Sequence, residues 1–130
     1  MVEPVQGVGA PRPVVDLGRF AEISGGDAEF EREIAGEYCV QARQLIEEIA
    51  ATILVGDAHR LRRAAHTLKG SSHTIGADAV ARLAAELEHA AVCPTPEPPD
   101  DWSVRLEAAL LATEHALELR LGPGHERGAA

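Results

Sequence analysis

One histidine lies where it could react with a molecule in solution. His66 belongs to the helix-forming run 65–72, AHTLKGSS. On an α-helix, the residues within roughly 60° of His66 are polar or small: Arg62, Arg63, Lys69, Gly70 and His73. The opposite side carries aliphatic residues: Leu61, Ala64, Leu68 and Ile75. Burying the imidazole would expose the large aliphatic side chains, at about 1.5–3 kcal/mol each, so we expect His66 to face the solvent.

The neighbours of this histidine suit the transfer of a phosphoryl group. Cationic side chains stabilise an anion that forms on the ring, although a charged helix face is also common without any function. Gly70 follows His66 by one turn, and a glycine inside a helix costs about 1 kcal/mol relative to alanine. Space for a phosphoryl group or for a bulky partner explains that cost.

A metal site at these histidines is disfavoured. His59, His66 and His73 recur every seven residues on one helix face, a separation of about 10.5 Å along the axis. Histidines that share one ion on a helix lie four residues apart, and those positions around His66 hold Arg62 and Gly70. The sequence therefore predicts no metal.

The chain resembles the histidine phosphotransfer (HPt) domain of multistep phosphorelays. The resemblance covers about residues 16–121 and rests on a few segments: residues 65–72, Ile75-Gly76-Ala77, Leu87-Glu88, the turn Gly56-Asp57 and the aromatic Tyr38. It implies that His66 accepts the phosphoryl group, that Lys69 assists the phosphoryl oxygens, and that Gly70 leaves room for a docked receiver domain. Four further residues of the same helix are expected to contact the partner: Arg62, Arg63, His73 and His59.

The resemblance implies a phosphocarrier and not an enzyme. His66 would take a phosphoryl group from a receiver-domain phosphoaspartate and pass it to an aspartate of another receiver. The chain has no P-loop or other glycine-rich phosphate cradle, so we expect no ATP site. It would need no cofactor of its own, because Mg²⁺ is expected on the partner receiver domain.

Two other functions stay open. The same motif occurs in the phosphoacceptor module of chemotaxis-type histidine kinases, whose phosphoryl donor is ATP bound to a separate catalytic domain. The chain could also be a non-phosphorylated helical adaptor that binds receiver domains. Replacing His66 by glutamine would leave an adaptor's function intact.

The elements that position His66 are predicted to be helices. Asp16 caps a short first helix that ends at Gly25-Gly26, and Asp27 caps a long second helix. The second helix has an apolar stripe in steps of three and four: Phe30, Ile34, Tyr38, Ala42, Leu45, Ile49 and Ile53. Gly56 ends this helix and Asp57 caps the third helix, residues 58–75.

Two helices follow the interruption at Gly76. The inward residues of the fourth helix are expected to be Val80, Leu83, Leu87 and Ala90 or Ala91. The proline-rich stretch 94–99 is a stiff connector. The last helix starts at Asp100 or Asp101 and points four residues inward: Leu106, Leu110, Thr113 and Leu117.

The predicted fold class is all-α, an antiparallel up-down four-helix bundle with a short additional N-terminal helix. Residues 1–15 form a flexible leader, residues 16–121 form the bundle, and residues 122–130 form a flexible tail. We expect the bundle to be a monomer.

Composition restricts the classes of partner. The 130 residues contain 12 Lys and Arg against 21 Asp and Glu, a net charge of −9 that disfavours nucleic acid. No apolar stretch of about 18 residues could span a membrane, and we expect no secretory signal. Cys39 and Cys93 lack metal-type spacing, as expected for reduced thiols in a cytoplasmic protein.

Overall fold

The structure, a computed structural model, describes residues 13–93 and 98–122, and within them all regular structure is helical. The helices are α1 (Leu17–Ser24), α2 (Ala28–Val55), α3 (Ala58–Ile75), α4 (Asp78–Ala91) and α5 (Trp102–Leu121). Each of the four long helices packs against the next in the chain, and α5 packs back against α2. The short α1 packs against α2 and α3. The predicted all-helical bundle with a short additional N-terminal helix is confirmed.

The predicted boundaries of the first three helices are confirmed. The carboxylates of Asp16, Asp27 and Asp57 each accept a hydrogen bond from a backbone N–H in the first turn of the following helix. Gly56 and Gly76 end α2 and α3 in the left-handed conformation, with φ of 75° and 87°. Turns of only two residues therefore reverse the chain on either side of α3.

The core contains most of the residues that the periodicity placed inward. All four predicted inward residues of α5 are buried. In α4, Val80, Leu87 and Ala91 are buried, whereas Leu83 is only partly buried. Of the α2 stripe, Tyr38, Ala42 and Ile49 are buried, and three others lie against the edge of the core: Ile34, Leu45 and Ile53.

The prediction that Phe30 lies inward was wrong. Phe30 is 41% exposed, and its neighbour Glu31 is only 5% exposed. The Glu31 carboxylate accepts hydrogen bonds from Arg120 Nη2 at 2.8 Å and from Ser24 Oγ at 2.9 Å. These bonds compensate for burial of the charge, so a carboxylate occupies the inward position at this end of the bundle.

The packed part of the chain begins inside the predicted leader. The Val14 carbonyl accepts a hydrogen bond from Ala79 N at 3.2 Å, and Asp16 N donates to the Gly76 carbonyl at 2.7 Å. Val15 is buried between these two bonds. The segment that enters α1 therefore lies across the turn between α3 and α4. The rest of the leader, the tail after Gly122 and most of the proline-rich connector lie outside the described residues.

Candidate functional site

His66 lies in the middle of α3, with its side chain 65% exposed. The same helix buries Leu61, Leu68 and Ile75 on its opposite side. The expectation that His66 faces the solvent is therefore met, for the reason given by the helix periodicity.

A carboxylate from the next helix contacts the ring. His66 Nδ1 lies 2.8 Å from Glu88 Oε2, and Lys69 Nζ lies 2.7 Å from the other oxygen, Oε1. The Glu88 side chain is 16% exposed, because α3 and α4 flank it. Glu88 therefore joins the histidine and the lysine into one hydrogen-bonded unit.

The hydrogen bond from the Lys69 ammonium, followed by that from His66, lowers the pKa of Glu88 despite its partial burial. Glu88 is therefore a carboxylate near neutral pH and can only accept hydrogen bonds. It follows that His66 Nδ1 carries a proton and donates it to Glu88. In the neutral ring, the lone pair is then on Nε2, which has no hydrogen-bond partner among the described residues.

Glu88 is part of the family resemblance, but its contact with His66 was not predicted from the sequence. The turn at Gly76 is the sequence feature that could have predicted this contact. His66 and Glu88 lie at similar chain distances on either side of that turn, and an antiparallel helix hairpin brings such positions together.

The other predicted site residues all lie on the solvent side of α3. Gly70 is exposed, and a methyl group built on its Cα would meet no atom within 4 Å. His59, Arg62, Arg63 and His73 are exposed as well. In the part of the chain that the structure describes, Arg62 and Arg63 have no ion-pair partner. His59 lies two turns from His66, about 10.5 Å along the helix, and so lies outside the hydrogen-bonded unit.

A groove opens between α3 and α4 beside Gly70, with a volume of about 610 Å³. We call it the Gly70 groove. Its polar lining consists of Arg19, Lys69, His73, Asp78 and Arg82, and its apolar lining is Gly70, Ala81 and Ala85. The structure thus brings Lys69, Gly70 and His73 to one depression next to the histidine.

Arg19 of α1 closes one end of the Gly70 groove. Its guanidinium donates to Asp78 Oδ1 at 2.9 Å, to the His73 carbonyl at 3.0 Å and to Asp16 Oδ2 at 3.2 Å. The hydrogen bond to Asp78 raises the pKa of Arg19. Nothing in the sequence around Arg19 indicates this role, because its main partner Asp78 is 59 positions away.

A second depression, of about 430 Å³, lies on the other side of α3, against α2. Here the Tyr38 hydroxyl and Ser72 Oγ share a buried hydrogen bond of 2.7 Å. Burial raises the pKa of Tyr38, so its hydroxyl keeps its proton. This hydrogen bond fixes α3 against α2 on the side away from Glu88.

Among residues 13–93 and 98–122, no group of three or more His, Cys, Asp or Glu side chains could hold a metal ion. Within the same ranges, no helix has the length and the apolar character needed to cross a membrane.

Comparisons with known proteins identify a family and a similar fold. The family model described as "Hpt domain" matches residues 33–120, which include α3, α4 and the His66–Glu88 pair. The fold is similar to the crystal structure of histidine-containing phosphotransfer protein B (HptB) from Pseudomonas aeruginosa PAO1. The TM-score is 0.72 at 20% sequence identity, over 85% of this chain and 96% of that one. No curated protein matches the sequence.

Proposed function

The chain belongs to the Hpt domain family, and from that membership we propose that it is the intermediate of a phosphorelay. His66 accepts a phosphoryl group from the phosphoaspartate of one receiver domain and delivers it to an aspartate of another. The observation that carries the proposal is the hydrogen bond of 2.8 Å between His66 Nδ1 and Glu88. It leaves the second ring nitrogen, Nε2, available to attack from an exposed side chain.

The transfer follows from this geometry. Nε2 of the neutral ring attacks the phosphorus of the acyl phosphate in line, a P–N bond forms, and the P–O bond to the aspartate breaks. The aspartate leaves as a carboxylate with the bonding electron pair. The ring gains a positive charge, which the adjacent Glu88 carboxylate stabilises. Since the ring keeps its Nδ1 proton, no base has to remove a proton before the attack, and the reverse step uses the same groups.

Lys69 and Gly70 have supporting roles in this proposal. In the unphosphorylated protein, the Lys69 ammonium pairs with Glu88. Lys69 follows His66 by about one helix turn, so we propose that it stabilises the phosphoryl oxygens once they are on His66. Gly70 presents bare backbone one turn from the imidazole, so a receiver domain can approach closely. Arg62, Arg63, His73 and His59 are proposed as surrounding contacts.

The protein is proposed to act as a carrier and not as a kinase. Its own residues supply the nucleophile and the charges around it, whereas the receiver domain supplies Mg²⁺ and most of the stabilisation of the transferring group. We propose that the relay operates in the cytoplasm and that the chain acts as a monomer.

The first test is the intact mass of the protein after incubation with phosphorylated receiver domains from the same genome and Mg²⁺. Wild type is expected to gain a single acid-labile phosphoryl group, and His66→Gln is expected to gain none. His115→Gln, which removes an exposed histidine of α5 outside the Gly70 groove, is the matched control and should be labelled like wild type. No adduct with any receiver domain would refute the relay. An adduct formed only with a histidine-kinase catalytic domain and ATP would support the chemotaxis-type alternative instead.

A second test addresses Glu88. In Glu88→Ala, Nδ1 loses its acceptor, so ¹⁵N NMR should show His66 shifted from the Nδ1–H form towards a mixture of tautomers. The rate of phosphoryl transfer should fall about tenfold or more, by analogy with the carboxylates that orient metal-bound histidines. Glu86→Ala removes a neighbouring exposed carboxylate of the same helix and should leave both measurements unchanged. An unchanged tautomer in Glu88→Ala would contradict the positioning role.

A further inference from the structure

The charge of this protein is distributed unevenly. Residues 58–75 of α3 contain four Lys and Arg and no Asp or Glu. The remaining eight Lys and Arg are therefore outnumbered by all 21 Asp and Glu, in a chain of net charge −9. An acidic partner is therefore repelled by most of the surface and attracted to α3 more than to the chain as a whole.

The two depressions beside α3 differ in their charge. The one against α2 is lined by Glu37 and has no Lys or Arg among its described lining residues. The Gly70 groove has Arg19, Lys69 and Arg82 on its walls and a single carboxylate, Asp78. An acidic segment that binds at α3 is therefore favoured on the side of α4 and not on the side of α2.

Within the Gly70 groove, the cations are not equivalent. Arg19 is neutralised by Asp16 and Asp78, and Lys69 is paired with Glu88. Arg82, on α4, has no ion-pair partner within residues 13–93 and 98–122. Arg82 is half-buried, and it lines the groove together with Ala81 and Ala85. An unpaired cation in a groove with apolar lining residues suits a segment that presents a carboxylate next to an apolar side chain.

We propose that the Gly70 groove binds an acidic segment of the receiver domain, and that Arg82 is a specificity-determining contact for that partner. This proposal rests on the proposed function and adds the orientation in which the receiver domain docks. The receiver domain extends from His66 over α4, and the carboxylate of its segment pairs with Arg82. Receiver domains without a carboxylate at that position bind more weakly.

The test is the affinity of the unphosphorylated receiver domain that labels wild type in the mass experiment. Arg82→Glu is compared with Arg105→Glu, which makes the same charge change on α5, outside the groove, where Arg105 pairs with Glu86. Arg82→Glu should weaken binding at least tenfold in low salt, mainly through slower association, and the loss should shrink at high salt. Arg105→Glu should remain within about twofold of wild type, because Arg105 does not line the Gly70 groove.

Kinetics separate docking from chemistry. Arg82→Glu should raise the receiver concentration needed for half-maximal transfer and leave the maximal rate unchanged, because it does not touch the phosphoryl group. Equal binding by the two variants would overturn the inference while phosphoryl transfer to His66 still supports the proposed function. If Arg82→Glu without a receiver domain had a different oligomeric state from wild type, measured as the mass of the assembly in solution, a second copy of the chain would occupy the groove. That result would also overturn the inference. Failure of every receiver domain to label wild type would refute both proposals.

Discussion

The proposed phosphoacceptor His66 depends on a carboxylate that its own helix does not contain. The residues one turn before and after His66 are Arg62 and Gly70, so α3 alone gives the ring no acceptor. Glu88 supplies it from α4, and Lys69 keeps Glu88 ionised by donating to its other oxygen. The three side chains therefore set which ring nitrogen carries the proton.

Replacing Gly70 by alanine is expected to raise the stability of the fold and to slow phosphoryl transfer. Because a methyl group at Gly70 meets no atom within 4 Å, Gly70→Ala should stabilise the fold by about 1 kcal/mol, the difference in helix propensity. The same methyl group would stand one turn from the imidazole, on the surface where the receiver domain is proposed to dock, and should slow transfer from the receiver domain. Urea unfolding and the rate of phosphoryl transfer measure the two effects.

Gly36 of α2 provides the control for Gly70. It is also an exposed helical glycine whose added methyl group would meet nothing within 4 Å, but it lies on the side of α2 that faces α5. Gly36→Ala should give a similar gain in stability and leave transfer unchanged. If Gly70→Ala transferred as fast as Gly36→Ala, the role of Gly70 in access would be refuted.

Among the elements, the turn between α3 and α4 carries the tightest steric constraint. Gly76 has a φ of 87°, and a Cβ placed on it would lie 2.5 Å from the Asp16 carbonyl oxygen. The segment that enters α1 thus crosses the turn where only a glycine fits. Because this turn sets the register of α3 against α4, it also sets the pairing of His66 with Glu88.

Gly76→Ala is therefore expected to destabilise the protein more than Gly56→Ala. Both residues end a helix in the left-handed conformation, which costs a non-glycine residue about 1 kcal/mol or more. Only at Gly76 must backbone atoms move as well, since a Cβ on Gly56 meets nothing within 4 Å. Urea unfolding of the two variants measures the difference in the free energy of unfolding. Equal decreases would show that the backbone at Asp16 moves away from the added methyl group at little energetic cost.

The sequence predicted the elements well and predicted contacts between distant elements poorly. Helix ends were predictable because an aspartate cap or a left-handed glycine acts on its own turn. Phe30 and Glu31 differ by only about 100° on the helix, so periodicity alone could not decide which faces inward. The partner that makes Glu31 tolerable inside, Arg120, lies 89 positions away. The contacts of Arg19 and Glu88 were missed for the same reason.

For the molecule as a whole, the Glu31–Arg120 pair predicts a dependence of stability on acid. The hydrogen bonds from Arg120 and then Ser24 lower the pKa of Glu31 in the folded state, although burial opposes them. The unfolded chain therefore binds this proton at a higher pH than the folded chain. The stability due to Glu31 is present above the ordinary pKa of glutamate and is lost as the pH falls through the lowered value.

Glu31→Gln should reduce the free energy of unfolding at neutral pH by about 1.5–3 kcal/mol, the usual worth of a hydrogen bond to a charged group. Its stability should also decline less than that of wild type on acidification below about pH 4.5. Urea unfolding across that range measures both effects. Glu107→Gln, at the half-exposed pair with Arg43, should behave like wild type, because such surface pairs contribute little. Parallel curves for wild type and Glu31→Gln would contradict the assignment.

The sequence separation of these contacts has a consequence for folding. His66 and Glu88 are 22 positions apart and belong to consecutive helices joined by a short turn. The contacts that tie down the ends of the bundle span 59 positions at Arg19 and 89 at Arg120. Because closing a longer loop costs more entropy, α3 and α4 should pair before α1 and α5 dock. The part of the chain that is proposed to carry the phosphoryl group is thus the part expected to assemble first.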